Sequence, residues 1–190
     1  MPNGRILQIY RDGRRREERQ LIQLPRGAQG NLRTLAEMGE IVAHDCRQPD
    51  VRRFALDACI GSDHRQLSLD DKIERAFQYC RDAIVYRPEP AGYETLADLW
   101  SCLYAVSDAG PTGDCAIKSV ALATVFCSLN LRPFFVALKQ IANADYFNHV
   151  FVGLDNADGK GWTAYDPTPP EFRPGDLLDS RVMLHYRFRI

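Results

Sequence analysis

Residues 114–129, DCAIKSVALATVFCSL, form the stretch around which the rest of the chain has to be arranged. The stretch is apolar on almost every side of a helix, and such a helix is usually the buried central one of a domain. The turn-forming run SDAGPTG at 107–113 precedes it, and Asn130 and Pro133 bound its end. We therefore predict a central helix that other elements cover on all sides.

The chain before the central helix has mostly helical patterns, in which apolar residues recur three or four positions apart. At the N-terminus, two short alternating runs predict a hairpin, with strands at 5–10 and 19–24 joined by a tight turn at Asp12–Gly13. The helical patterns predict, in order, a helix from Asn31 as N-cap to about Ala43, a short helix after Pro49–Asp50, a helix from Ser68 or Asp70 to Ile84, and a helix over Thr95–Tyr104.

The chain after the central helix has strand patterns. Apolar runs at 134–138, 147–154 and 161–166 predict three strands, and 182–190 predicts a closing strand. Helices that are followed by one buried helix and then by an antiparallel sheet are typical of the α+β fold class. We therefore predict an α+β fold with the central helix against the sheet.

Length and charge limit the classes of protein to which this chain can belong. At 190 residues it is expected to be one domain, in which 1–30 form a hairpin and linker and 31–190 the main body. Lysine and arginine total 24 against 25 acidic residues, and 45% of the residues are hydrophobic, which excludes a disordered chain. Residues 1–33 carry eight arginines against three acidic residues, but no aromatic residues alternate with them, so we expect a solvated hairpin tip and no nucleic-acid partner.

Other absences in the sequence lead to further expectations. No apolar run approaches the ~20 residues that span a membrane, and the arginine-rich start lacks the apolar block of a signal peptide. We therefore expect a cytoplasmic protein with no membrane partner. The six cysteines include no C-x-x-C pair and no zinc-type spacing with histidine. We expect neither a metal ion nor a cofactor, and buried reduced thiols rather than disulfides.

Cys115 differs from the other cysteines because it opens the central helix directly behind a loop that gives access to it. Unpaired N–H groups and the positive end of the helix dipole at this position favour the thiolate, which is the nucleophilic form of the sulfur. The same N–H groups can donate to the oxyanion that forms when the sulfur attacks a carbonyl carbon. Cys115 is therefore a candidate nucleophile, and the alternative is a thiol that packs in the core. Asp114, the preceding residue, is expected to cap the helix or to tune the thiol.

His149 lies in a predicted strand that is otherwise apolar, on the same side as Phe151 and Gly153. A histidine in this setting is either a satisfied core residue or a general base. Gly153 lacks a side chain, which leaves space for a helix or a ligand to approach that side of the strand.

Asp166 ends the following strand, and the pairing register decides whether its carboxylate can reach His149. If 155–160 form the connection, the two residues lie directly opposite each other, with Cβ atoms about 4.5–5.5 Å apart. If Asp158–Gly159 is a two-residue turn, Asp166 lies diagonally on the same face, at roughly 7–8 Å. A slip of one residue would place them on opposite faces. In the first two registers the chain can supply a nucleophile, a base and an orienting acid, as a Cys-His-Asp triad requires.

Several short motifs follow one another along the chain: Val85–Tyr86, Pro88–Glu89–Pro90, Gly113–Asp114–Cys115, Lys118, Val120–Leu122, Asn148–His149–Val150 and Trp162-x-x-Tyr165–Asp166–Pro167–Thr168. Together they resemble the transglutaminase-like cysteine-enzyme superfamily, and most closely the small transglutaminase-like proteins of bacteriophages and prophages. The strong motifs cover about residues 84–168. One departure is Ala116–Ile117, where many relatives have acidic residues after the cysteine.

The resemblance implies a papain-related transglutaminase-like domain over 31–190, with Cys115 as nucleophile, His149 as general base and acid, and Asp166 as the residue that orients His149. It implies acyl transfer from an amide through a thioester, with a protein or peptide as substrate. By position, Tyr86 and Trp100 are candidates for the second oxyanion donor, and the alternative for both is that they are packing residues. Asp114 and Trp162 are candidates for lining the site, with helix capping and sheet packing as the alternatives.

Three functional hypotheses remain open from the sequence. The leading one is a cysteine peptidase or amidase, with a protein cross-linking transglutaminase as a variant of the same chemistry. The second is a phage structural or binding module with lost or repurposed activity, whose partners would be phage structural proteins and whose location would be the virion. The third, arylamine acetyl transfer, is weaker because Thr112–Gly113–Asp114 does not match the sequence around the cysteine in those enzymes.

Overall fold

The computed structural model describes residues 6–12, 17–25, 27–89, 93–104, 111–139, 147–176 and 183–188, with backbone alone at 11, 12, 17–20 and 104. The chain order of the elements is β1 (Ile6–Asp12), β2 (Glu17–Gln23), α1 (Gly27–Asp45), α2 (Pro49–Phe54), a π-helical segment (Ala55–Ile60), α3 (Leu69–Ala83), β3 (Val85–Tyr86), β4 (Tyr93–Ala97), α4 (Leu99–Tyr104), β5 (Thr112–Gly113), α5 (Cys115–Ser128), β6 (Pro133–Leu138), β7 (His149–Asp155), β8 (Trp162–Tyr165) and β9 (Met183–Tyr186).

Helix α5 is the predicted central helix. Every residue from Ala116 to Ser128 is buried, because α1 and α3 cover it on some sides and the sheet that contains β7 covers it on another. That sheet has the strand order β8-β7-β6-β9, and all its neighbouring strands are antiparallel. The ring of Phe126 on α5 meets Tyr165 of β8 edge-on at 5.2 Å between centroids. The α+β arrangement of helices, central helix and antiparallel sheet is confirmed.

The N-terminal hairpin is longer than predicted. Strand β1 pairs with β2 as far as Asp12 opposite Glu17, so the connection is 13–16 and not a tight turn at Asp12–Gly13. The extra strand pairs make the difference, and residues 13–16 themselves lie outside the described residues. On its other edge β1 pairs in parallel with β4, and Leu7 and Ile9 are fully buried.

The predicted helix over Thr95–Tyr104 is wrong in its first part. Thr95 and Leu96 belong to β4 and pair with Gln8 and Ile9 of β1, so only Leu99–Tyr104 is helical. Pairing with a strand almost ninety positions earlier outweighs the local helical spacing of the leucines, since strand preference depends on the neighbours that a strand finds. Asp98 separates the two elements, and its side chain accepts a hydrogen bond from the Ser101 N–H at 2.7 Å.

Helix α1 begins earlier than predicted, at Gly27, so Asn31 is not its N-cap. The Asn31 amide instead donates to the Phe147 carbonyl at 2.8 Å, a partner that lies far away in sequence. The prediction for α3 holds: Ser68 is its N-cap and accepts a hydrogen bond from the Asp71 N–H at 3.1 Å.

The cysteines are only partly as predicted. Cys59, Cys80 and Cys102 are buried free thiols, as expected. Cys46 and Cys127, however, form a disulfide between Cα atoms 5.7 Å apart. The prediction of reduced thiols is wrong for this pair, because the packing of α1 along α5 brings together two residues that are 81 positions apart. No helix among the described residues combines the length and the apolar character that a membrane span needs.

Candidate active site

The register between β7 and β8 is the second of the two compatible registers. Val152 pairs with Tyr165 and Asp155 with Trp162, which places Asp166 diagonally across from His149 on the same face. The diagonal position is still close enough for contact, since the His149 Nε2 and Asp166 Oδ2 atoms are 2.5 Å apart. The sequence left the register open; it allowed the shared face in this register, and the structure shows that the two side chains meet across the diagonal.

Both oxygens of the Asp166 carboxylate are engaged, and the side chain is fully buried. One oxygen bonds the imidazole, and the other accepts the Thr168 N–H at 2.9 Å. The carboxylate is thus fixed by backbone on one side and orients the ring on the other. Because Nε2 of His149 faces Asp166, Nδ1 is the ring nitrogen that remains for another partner.

Cys115 is the first residue of α5, and Asp114 is the N-cap. One oxygen of the Asp114 carboxylate accepts hydrogen bonds from the N–H groups of Ala116 and Ile117, both at 3.0 Å. Two N–H groups that we expected to favour a thiolate are therefore already occupied by a carboxylate. The N–H of Lys118 donates to the Asp114 carbonyl at 3.1 Å, which leaves the N–H of Cys115 itself as the remaining donor of the first turn.

The expectation of a lowered thiol pKa is wrong for the resting structure. Burial raises the pKa of the Cys115 thiol well above its usual value, and the nearby Asp114 and Glu94 carboxylates raise it further. A hydrogen bond from the Val150 backbone acts in the opposite direction. The helix dipole is outweighed because the sulfur is surrounded by protein and by negative groups.

The sulfur and the imidazole approach the start of β7 differently. Side chains alternate along a strand, so His149 and Phe151 lie on one face of β7. Val152 and its partner Tyr165 lie on the other face, where Tyr165 packs against Phe126 of α5. Cys115 reaches the strand through the backbone of Val150, the residue next to His149. Among the described residues, no hydrogen bond joins the Cys115 sulfur directly to the His149 ring.

Tyr86 lies beside the thiol. Strand β3 pairs with β5 so that Tyr86 is opposite Gly113, two residues before Cys115. Partial burial raises the pKa of the Tyr86 hydroxyl, and the Cys115, Asp114 and Glu89 groups raise it further. The hydroxyl is thus within electrostatic reach of the sulfur, and about half of the residue is exposed.

Three carboxylates converge at the same end of α5. One oxygen each from Glu89, Glu94 and Asp114 lies within 4.8 Å of the others, which is a spacing that could hold a cation. The sequence predicted no metal ligands, and it indicated nothing for Glu94. Burial, together with Glu89, raises the pKa of Asp114 to about 8. Asp114 is therefore mostly protonated at neutral pH.

The two tryptophans lie in packed positions. Trp100 meets the Phe54 ring edge-on at 5.4 Å between centroids. Trp162 packs with Phe151 at 6.1 Å and with Phe134 at 5.7 Å. His149 stacks on Phe151 in turn, with centroids 6.3 Å apart, so an aromatic row connects the candidate base to Trp162.

Gly153 does not leave open space beside the strand. Phe134 lies opposite it on β6, and a Cβ at Gly153 would come within 2.5 Å of the Phe134 ring. The expectation that a helix or a ligand approaches here is therefore wrong, because the neighbouring strand fills the gap with a phenylalanine ring.

Sequence reasoning missed two kinds of group near the thiol: those that make contacts with the backbone of β7, and those that strand pairing brings from a distant part of the chain. The Val150 amide and the Ser119 hydroxyl near it carry no motif, and Glu94 is brought to Asp114 only by the pairing of β4 with β1. Glu89 had a weak signal, since it lies between two prolines close to Tyr86.

Comparison with known proteins gives a likeness in fold. No protein-family model matches the chain, and no curated protein matches it. Among solved structures, a protein of Parabacteroides distasonis that is named a "putative protease" is similar, with a TM-score of 0.53 and 11% sequence identity over 79% of this chain. The match covers 32% of that protein's chain, so this chain corresponds to about a third of it. At this identity the similarity concerns the fold, which the two proteins share.

Proposed function

We propose that this protein is a cysteine-dependent acyl-transfer enzyme that attacks amide bonds, with Cys115 as nucleophile, His149 as base and Asp166 as the group that orients His149. The observation that carries the proposal is the buried hydrogen bond between His149 and Asp166, whose carboxylate is near enough to act on the thiol of Cys115, the first residue of α5. An imidazole held through Nε2 by a carboxylate presents Nδ1 as its basic atom.

The raised pKa of the thiol favours one order of events. Cys115 rests as a thiol, so His149 Nδ1 has to take its proton as the sulfur attacks the carbonyl carbon of the amide. The imidazolium then gives that proton to the leaving amine, and a thioester remains on the sulfur. Water attacks the thioester in a peptidase or amidase, and a primary amine attacks it in a cross-linking enzyme.

The negative oxygen of the tetrahedral intermediate needs donors. We assign one to the N–H of Cys115, since Asp114 occupies the next two N–H groups. The Tyr86 hydroxyl is the second donor that we propose, because it lies on the strand beside Gly113. Trp100 packs against Phe54 and is the weaker choice.

Within this class we favour a peptidase or amidase on a papain-related, transglutaminase-like fold. The similar fold of the protein named a protease supports this choice. The relation to phage and prophage transglutaminase-like proteins rests on the sequence motifs alone. A binding module that has lost this activity is the competing proposal, and the raised thiol pKa is the observation that favours it.

The test is alkylation of the native protein with iodoacetamide, followed by mapping of the adducts by mass spectrometry. We expect Cys115 to react before the buried Cys59, Cys80 and Cys102. Exposure alone can produce that order, so the rate is also measured in His149→Gln. A loss of about tenfold or more at neutral pH is expected if the imidazole activates the sulfur.

Hydrolysis is then tested with a mixture of peptides, and cross-linking with a primary-amine donor and a glutamine-containing protein. Cleavage that is lost in Cys115→Ala supports a peptidase, and covalent incorporation of the amine supports a transglutaminase. Equal alkylation of wild type and His149→Gln, with no hydrolysis or incorporation, would refute the enzyme and favour the binding module.

A further inference from the structure

Ser119 lies one helical turn after Cys115 on α5 and is completely buried. Its hydroxyl donates to the carbonyl of Val150 at 3.0 Å. The backbone of the same Val150 also lowers the pKa of the Cys115 thiol, against the effect of burial. Ser119 therefore connects the central helix to the residue that follows His149.

The need for this contact follows from where β8 ends. Its last residue is Tyr165, which pairs with Val152. Continuing that register by two residues would place Pro167 opposite Val150, and proline has no N–H to donate. A buried carbonyl without a donor is costly, so a side chain has to replace the missing strand. Ser119 provides that donor from the central helix.

We propose that Ser119 is a positioning residue, which holds the start of β7, and with it His149, at a fixed distance from the N-terminus of α5. This inference rests on the proposed function, in which the sulfur and the imidazole have to meet. Ser119 does not touch the reacting atoms, so it acts through the Val150 backbone. Its hydroxyl, and not its size, is the property that matters.

Ser128 provides a matched control on the same helix. It is also buried, and its hydroxyl donates to the Thr124 carbonyl at 2.9 Å, inside α5. Removing either hydroxyl removes one buried hydrogen bond. Of these two hydrogen bonds, only that of Ser119 connects α5 to β7.

The experiment compares Ser119→Ala, Ser119→Thr and Ser128→Ala with wild type. Two quantities are measured: the pH profile of Cys115 alkylation and the hydrogen exchange of the His149 and Val150 amides by NMR. We expect Ser119→Ala to slow alkylation at neutral pH by about tenfold, within the usual range for a displaced base. We also expect faster exchange of both amides, recovery of both properties in Ser119→Thr, and no change in Ser128→Ala.

The outcomes separate this inference from the proposed function. If Ser119→Ala behaves like Ser128→Ala in amide exchange, the positioning role is wrong whatever the enzyme does. If exchange rises in Ser119→Ala but wild type and His149→Gln are alkylated at the same rate, Ser119 holds β7 as proposed and the catalytic assignment fails. If exchange rises but alkylation in Ser119→Ala stays at the wild-type rate while that in His149→Gln falls, Ser119 does not set the distance between sulfur and imidazole, and the inference is overturned.

Discussion

The two ends of the candidate site are built in opposite ways. At the imidazole end, His149 and Asp166 are buried and hydrogen-bonded, and the second carboxylate oxygen is held by the Thr168 backbone. At the thiol end, Cys115 lies among carboxylates and its pKa is raised by burial and by Asp114. The candidate base is therefore hydrogen-bonded in the resting protein, whereas the raised pKa of the candidate nucleophile favours its protonated form.

This contrast shows that a helix N-terminus does not activate a cysteine by itself. The helix dipole and the N–H groups of the first turn favour an anion. The N-cap side chain of Asp114, however, already accepts hydrogen bonds from the N–H groups of Ala116 and Ile117. The Asp114 carboxyl group therefore occupies two N–H groups at this end of α5, and the proposed mechanism depends on the imidazole to activate the thiol. Each prediction below changes one end of the site and leaves the other as a reference.

The largest effect is expected at the imidazole end. Asp166→Asn keeps the shape of the side chain but replaces the oxygen that accepts from the imidazole N–H, so His149 loses its orientation. We expect amide hydrolysis to fall by about 10²–10⁴-fold, as is known for this change in Ser-His-Asp triads. Steady-state rates with any peptide that the wild type cleaves will measure it.

The control is Asp155→Asn on the same strand as His149, since that exposed carboxylate bonds only the Arg187 side chain among the described residues. It should hydrolyse peptides at the wild-type rate. A rate for Asp166→Asn within a factor of three of that control would contradict an orienting role for the carboxylate.

The next largest effect is expected on stability, from Lys118, which lies on α5 one turn after Asp114. Lys118 is buried, and its ammonium group donates to the carbonyls of Arg81 at 2.8 Å and Ile84 at 2.5 Å, directly before β3. Lys118→Met fills the space but leaves both carbonyls without this donor. We expect the free energy of unfolding in urea to fall by about 2–3 kcal/mol, roughly a hundredfold in the folding equilibrium.

Lys160→Met is the reference for this change, because Lys160 is exposed in the turn between β7 and β8. Its midpoint in urea should be unchanged. If Lys118→Met is as stable as this reference, the two carbonyls find other donors and Lys118 does not anchor β3.

The smallest effect is expected from Asp114→Asn, which tests whether the charge of Asp114 raises the pKa of the Cys115 thiol. Asparagine can still cap α5, but it cannot become negative beside the sulfur. The pKa of Asp114 is about 8, so its charge affects the thiol mainly above that pH. We expect Cys115 to be alkylated about three- to tenfold faster in the variant near pH 9, with little difference near pH 6.

The same substitution changes the pH dependence of stability. The pKa of Asp114 is raised in the folded protein from 3.8 to about 8, so the folded state holds a proton that the unfolded state has lost between these values. Stability from this group is complete below about pH 4 and is lost as the pH rises through about 8. Unfolding at a series of pH values should show a flatter profile in Asp114→Asn. An unchanged slope would mean that Asp114 is ionised at neutral pH.

Patterns that depend on neighbours along the chain predicted the fold class and the candidate residues. The uniform apolar character of 114–129 indicated the buried helix, and Ser68 marked the start of α3 because a cap is a local contact. The alternation around His149 and the position of Asp166 placed both on one face. The exact register was left open because turn geometry and strand length both contribute to it.

What the sequence determined by itself was the central helix with helices before it and strands after it, and the chemical types available at the site, since periodicity and capping involve residues only a few positions apart. Only the tertiary structure decided that Thr95 and Leu96 extend as a strand and that Cys46 meets Cys127. It also decided that Asp114, Glu89 and Glu94 surround the thiol. These features depend on pairing and burial between distant segments, and burial sets the energy of a charge. A candidate nucleophile can thus be identified from sequence, whereas the pKa of its thiol depends on the tertiary structure.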